Sequence, residues 1–317
     1  MSSFLEGLGS RLADRWATTL LGPGLLLVAA AAAAVWGGQG RALDLPWFAR
    51  RIAAGADTPA AHSPGVLVVG IAAVLAAGAA AGLAAAAVGW AAERSWMAPG
   101  WSPPGRALTG WRQRRWTAAD KRLRQAMVNA SLDEDFAAQP AAGSPHAVEA
   151  AVRRRNAIAP VMPARPTWTA DRMRAMELRV RAAYGLEMAV VWPRLWPVIS
   201  DPLRADLNAA QDSFSAAARL AGWALLYAIL AGWWWPAAII AVVTACLAWM
   251  RARTAVSVLA DLLEAAVDLH GRDLAAQLGI SCDGPLDRAA GTSITAVLTK
   301  DTAGHARLSV VPASSSS

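Results

Sequence analysis

Hydrophobic and polar positions along this chain fall into long blocks. Residues 17–40, 65–92 and 220–250 carry no charge at all. One bilayer crossing takes about 20 apolar residues, so the first two blocks predict one membrane-spanning helix each, over about 17–36 and 66–91. The third block, 31 residues, is long for one crossing and short for two. It is broken by Gly232-Trp233-Trp234-Trp235-Pro236, where Pro236 can begin a helix but cannot continue one. This predicts a tight hairpin of two further spans, about 216–233 and 236–253, with Trp233, Trp234 and Trp235 at the membrane interface.

The hairpin is expected to extend beyond the bilayer. Leu203, Leu207, Ala210, Phe214, Ala217, Ala221, Ala224 and Ala228 alternate four and three residues apart, as in a heptad seam. Val242, Ala245, Trp249, Ala252, Val256, Leu259, Leu263 and Ala266 do the same on the returning side, and Asp261, Glu264 and Asp268 lie off that seam. Residues 201–279 thus predict an antiparallel helical hairpin whose ends form a coiled stalk, with Leu203, Leu207, Phe214, Leu259 and Leu263 as packing residues. In the second block, Gly78 and Gly82 have the small-xxx-small spacing that lets helices approach closely in lipid.

Between the second and third blocks lies the main polar region, 93–200. Pro99, Pro103 and Pro104 predict a stiff connector, Thr117 to Asp120 a capping box that opens a helix to about 128, and 131–146 a loop. A helix over 146–157 and a Pro-rich joint at Pro160, Pro163 and Pro166 follow. Thr169 can cap the next helix, which places Met173, Met176, Val180 and Tyr184 on one face and Arg172, Arg174, Arg179 and Arg181 over the others. That helix is either packed on its own domain, or rests on anionic headgroups or receives an acidic partner. Trp192-Pro193 and Trp196-Pro197 predict a rigid amphipathic corner, suited to anchoring at an interface, to packing, or to holding a partner.

Composition confirms the class. Hydrophobic residues make up 56% of the chain and the mean hydropathy is +0.32, as in an integral membrane protein. The excess of Arg over Lys, together with abundant Ala, resembles the usage of GC-rich bacteria. A net charge of +7 would fit nucleic acid in a soluble protein, but in a multi-span chain it first marks the loops that stay in the cytosol. Arg94, Arg106, Arg112, Arg114, Arg115, Lys121, Arg122 and Arg124 face only Glu93 and Asp120 over the same stretch, directly after a span. That bias puts 93–200 inside, the short loop 37–64 outside, and residues 1–16 inside again.

Catalytic motifs are lacking. His62, His146, His270 and His305 are scattered, and Cys246 and Cys282 have no metal-ligand spacing. The sequence contains no phosphate-binding glycine loop, dinucleotide fingerprint, nucleophile elbow or zincin motif. The spans also carry no ionisable residue in their interiors, which speaks against a proton-coupled transporter.

The expected fold is therefore an all-α integral membrane protein with four transmembrane helices, a cytosolic helical region at 93–200, the hairpin at 201–279 and a partly disordered cytosolic tail at 280–317. The expected location is the plasma membrane, with N- and C-termini in the cytosol. The expected function is that of a non-enzymatic scaffold, receptor-like or regulatory subunit, with no cofactor. Its expected partners are the bilayer with its anionic headgroups and a protein or a second copy of the chain. The alternative is a pore-forming or transport component built on the Gly78/Gly82 helix. Arg112, Arg114, Arg115, Trp192 and Trp196 are the candidate interaction or interface residues beside the Trp233–Trp235 cluster.

Overall fold

A computed structural model describes residues 22–57, 63–136, 144–282 and 284–300, and its only regular elements there are α-helices. In chain order they are α1 (Gly22–Gly37), α2 (Leu45–Ala56), α3 (Pro64–Trp96), α4 (Pro103–Phe136) and α5 (Ser144–Ile158). Then come α6 (Trp168–Tyr184), α7 (Met188–Leu195), α8 (Asp201–Leu230), α9 (Pro236–Gln277) and α10 (Arg288–Thr299). Three of them, α3, α8 and α9, are long and apolar enough to cross a membrane, so this is an all-helical membrane protein. The first predicted span begins outside the described residues, and its described part is α1, 16 residues long.

Several helix boundaries differ from those the sequence predicts, each for a local reason. The segment predicted as a loop at 37–64 contains α2: Pro46 sits in its first turn, where Asp44 accepts a hydrogen bond from the Trp47 amide at 3.0 Å. Likewise Pro103 and Pro104 open α4 rather than stiffen a connector. Thr117 lies inside that helix and donates its hydroxyl to the Gln113 carbonyl at 2.8 Å. The loop predicted from 131 starts later, since α4 runs to Phe136. Helix α6 is capped by Thr167, which accepts from the Ala170 amide at 3.2 Å, while the Thr169 hydroxyl donates to the Trp96 carbonyl at 3.1 Å. Pro193 is accommodated inside α7, where it has no amide to give the Ala189 carbonyl.

Two compact units share the chain. The first comprises residues 1–95 and 214–252. Here α3 uses its stripe of small residues, Gly78, Gly82, Ala85 and Gly89, as its buried face. A Cβ added at Gly24 would stand 2.2 Å from the Gly78 carbonyl oxygen, and one at Gly222 would stand 2.1 Å from that of Ala85. So α1 and α8 both approach α3 at backbone distance, which only glycine permits at these crossings. The connection after α1 meets the turn between α8 and α9. Gln39 donates from Nε2 to the Gly232 carbonyl at 3.1 Å and accepts from the Trp235 amide at 2.9 Å. Trp234 Nε1 donates to the Ala42 carbonyl at 3.2 Å.

The predicted seam is buried along α8 at Leu207, Ala210, Phe214, Ala217 and Ala224, whereas Ala228 is exposed. On the apolar part of α9 the register is different. Ala237, Ala241 and Ala248 are buried and the predicted Val242, Ala245 and Trp249 are exposed, while from Ala252 on the predicted residues are buried again.

The second unit comprises residues 96–213 and 253–317. Its core joins Met176, Val180, Leu186, Val191, Leu195, Ile199, Leu207, Leu259, Leu263, Val267, Leu274 and Ile294. The ends of α8 and α9 are therefore not a free two-helix stalk; they are built into a helical unit with α6, α7 and α10. The reason is legible in α9: Ala255-Val256, Leu259-Ala260 and Ala266-Val267 are buried as pairs, a stripe wider than a coiled-coil seam. Helix α6 ends at Gly185 with φ of 68°, and α10 packs on that end so closely that a Cβ at Gly291 would lie 1.9 Å from the Tyr184 carbonyl oxygen.

Candidate functional site: a methionine and tryptophan groove

Two polar assemblies of the second unit flank a concave surface. The first is centred on Asp171, fully buried in the first turn of α6. Its Oδ1 accepts from the amides of Ala164 and Arg165, both at 3.0 Å, and its Oδ2 pairs with Arg112 Nη1 at 2.5 Å. Arg112 also donates to the carbonyls of Arg165 and Ile158, each at 2.6 Å. Every partner of this buried ion pair fastens the Pro-rich joint between α5 and α6, so the joint is a fixed element.

The second assembly lies between α6 and α9. Arg172 pairs with Asp261 at 2.5 Å, and Arg179 grips Glu264 through Nε and Nη2 at 2.9 and 2.6 Å. The Tyr184 hydroxyl donates to Asp268 at 2.8 Å. The Arg179 hydrogen bond holds the Glu264 carboxyl below its ordinary pKa, and the Asp268 hydrogen bond raises that of Tyr184. The basic helix of the sequence is thus packed on its own unit through Arg172 and Arg179, and the acids off the predicted seam are its counter-charges.

Between these supports α6, α7, α8 and α9 enclose an open groove of about 450 Å³. Met173 and Met176 come from α6, Met188, Ala189, Trp192 and Pro193 from α7, Leu207 from α8, and Leu259 and Leu263 from α9. Trp196, the C-cap of α7, completes that wall, its ring centroid 5.6 Å from that of Trp192. Glu177, Asn208 and Gln211 supply the polar lining, and Glu177 is the only ionisable side chain of this groove. A lining of this kind binds by shape and apolar contact, with a few polar groups to orient the occupant. Three thioethers let the groove adapt to its occupant. It contains no nucleophile paired with a base. Among the described residues no three His, Cys, Asp or Glu side chains gather as metal ligands.

The candidate residues of the sequence separate here. Trp192 and Trp196 come together as one wall of the groove, and both are half-buried. Leu207, Leu259 and Leu263 form its floor, and Leu203 is a partly buried neighbour of the same core. Phe214 is fully buried in the first unit. Gly78 and Gly82 face helices of the same chain. Trp233 and Trp235 are exposed at the turn, with Trp234 half-buried. Arg112 is internal, committed to Asp171, while Arg114 and Arg115 are exposed and Arg115 stacks over the Trp111 ring at 4.6 Å.

Sequence reasoning missed Asp171 and the part that Met188 plays. The available signals were an acid in the first turn of a helix that follows a Pro-rich joint, and three methionines within sixteen residues. No family model, curated protein or solved structure matches the chain.

Proposed function

We propose that the chain is a four-span plasma-membrane protein with both termini in the cytosol, and that it works as a non-enzymatic scaffold or receptor-like regulatory subunit. In this reading residues 220–250 cross twice, as a hairpin turning at the Trp233–Trp235 cluster. The hydrogen bonds from Gln39 and Trp234 support it, because they join the connection after α1 to the turn after α8 and so put both on one side of the membrane. The positive bias of residues 93–124 makes that side the outer one.

The observation that carries the function is the groove bounded by Trp192, Trp196, Met173, Met176 and Met188. Its occupant is the apolar face of an amphipathic helix from a partner protein. Adaptable methionines and anchoring tryptophans suit this mode of recognition, and Asn208, Gln211 and Glu177 lie where the polar edge of such a helix would pass. The groove is of a size that two or three large side chains fill, and its framework is fixed before the partner arrives.

The test is a photo-crosslinking residue placed at Asn208 in the full chain, in cells. The expected result is one discrete protein adduct, identified by mass, reproduced by the reciprocal crosslink and lost with Trp192→Ala. Adducts with lipid alone, or an adduct indifferent to Trp192→Ala, would overturn the groove as the docking site. Ion or solute flux through liposomes containing only the purified protein would overturn the scaffold in favour of the pore.

A further inference from the structure

We infer that the outward face of α4 is a docking surface for anionic lipid headgroups, so that this helix lies along the inner surface of the bilayer. The inference is independent of what fills the groove. Helix α4 turns one side inward, with Gly105, Arg112, Asp120 and Leu123 buried and Trp116 half-buried. At 100° per residue Trp111, Arg114, Arg115, Lys121 and Arg122 lie on the outward arc, and Leu108, one turn before Arg112, stands at its edge. All six are exposed.

Two features make this face more than an ordinary solvated one. The first is its charge. None of the four cations has an ion pair with a described residue, and the one acid between Pro103 and Lys121, Asp120, is buried on the other side, where Arg124 and Arg155 hold it. The hydrogen bond from Arg124 keeps the Asp120 carboxyl below its ordinary pKa, so it stays charged and satisfied inside. The second is the apolar content: Leu108 is 52% and Trp111 54% exposed, in the turn just ahead of the cations. An exposed Leu and Trp followed by cations on one helix surface match the headgroup layer, which offers negative charge outside and apolar depth beneath.

Chain connectivity supplies the location. Helix α3 is a candidate span that ends at Trp96, and α4 starts at Pro103. The six residues between them reach at most about 20 Å when fully extended. The face from Leu108 to Arg122 extends roughly 21 Å along the helix axis. Only a helix lying along the surface keeps all four cations within the Debye length of about 8 Å at physiological salt. An acidic protein or RNA would satisfy the charge. Neither would account for the exposed Leu108 and Trp111 at the end nearest the span.

The experiment uses the full chain in nanodiscs, with Cys246 and Cys282 replaced by Ala and an environment-sensitive fluorophore on Ala118→Cys, an exposed position on the same face. In discs containing phosphatidylglycerol the probe should be shielded from an aqueous quencher, and in phosphatidylcholine discs it should be open. Each cation contributes about a fivefold preference, so R114Q together with R115Q should reduce the lipid dependence by about 25-fold. Energy transfer from Trp111 to a headgroup acceptor, taken as the difference between the chain and Trp111→Phe because 15 other tryptophans are present, reads the same contact without any charge substitution. Equal quenching in the two disc types, no transfer from Trp111, or shielding that follows added RNA instead of disc lipid would overturn the proposal.

Discussion

The Arg112 guanidinium and the Asp171 carboxylate form a buried ion pair at 2.5 Å, and between them they take up two amides and two carbonyls of the segment joining α5 to α6. Removing either partner leaves a charge in the interior without compensation, which costs about 3–5 kcal/mol. Asp171→Asn and Arg112→Ala should each lower the unfolding midpoint of the second unit, read by limited proteolysis of the full chain. Replacing both by apolar residues should not restore stability, because the amides of Ala164 and Arg165 would still lack an acceptor. Recovery in the double variant would mean that those amides do not depend on Asp171.

The pair between Arg179 and Glu264 predicts a pH dependence of defined sign. Its hydrogen bond lowers the folded-state pKa of Glu264 relative to the unfolded chain, so the folded state binds that proton less readily. The contribution is complete above the unfolded carboxylate pKa of about 4.3 and is lost as the pH falls through the lower folded value. Both side chains are partly exposed, so the effect is about 0.5–1 kcal/mol. Denaturant unfolding of wild type and Glu264→Gln should differ by that amount at pH 7 and converge in acid, once Glu264 is protonated in the folded state. A difference that persists or grows in acid would exclude this ion pair as its cause.

In the first unit the backbone contact between Gly222 and Ala85 predicts a steric outcome. A methyl group at Gly222 has no room beside the Ala85 carbonyl, whereas one at Gly70 meets nothing within 4 Å. Gly222→Ala should force α8 away from α3 and destabilise the unit by about 1–3 kcal/mol. Gly70→Ala should be neutral or slightly stabilising. Unfolding in mixed micelles of increasing denaturing detergent compares the two, and equal midpoints would remove the close crossing from the account.

How much of this was legible in the sequence depends on what each residue is packed against. Leu203, Leu207, Phe214, Leu259 and Leu263 lie where their spacing predicts, because large apolar residues surrounded by polar ones fix the register of a helix face. On α9 between 236 and 250 that signal fails. Facing lipid costs Val242 and Trp249 nothing, so hydrophobicity does not mark the side that meets protein, and the small Ala241 and Ala248 are the ones that permit close packing. Arg112 was hidden for a different reason: among eight basic residues in one stretch, nothing local shows which one turns inward to an acid 59 positions away. The groove was half legible, since Trp192 and Trp196 declare themselves while Met173 and Met176 come from another helix.

The last prediction concerns the double crossing, and the native cysteines can test it. Cys246 is exposed on the apolar part of α9, where it would face lipid, while Cys282 is half-buried beyond the end of that helix. An impermeant maleimide should therefore label neither residue in intact cells. It should reach Cys282 once the inner side is opened, and Cys246 only in detergent. Cysteines introduced in place of Gly40 and Gly232, neither crowded within 3 Å, should be labelled from outside in intact cells, and both together. Their joint behaviour is required by the bonds from Gln39 to Gly232 and Trp235, since a chain segment cannot be tied to a turn across a bilayer. Labelling of Cys282 in intact cells would make 220–250 a single crossing, which would put Leu259 and Leu263 across the membrane from the rest of the groove and so overturn the groove as well. Labelling of Gly232→Cys from outside with Cys282 protected is the pattern that only a hairpin produces.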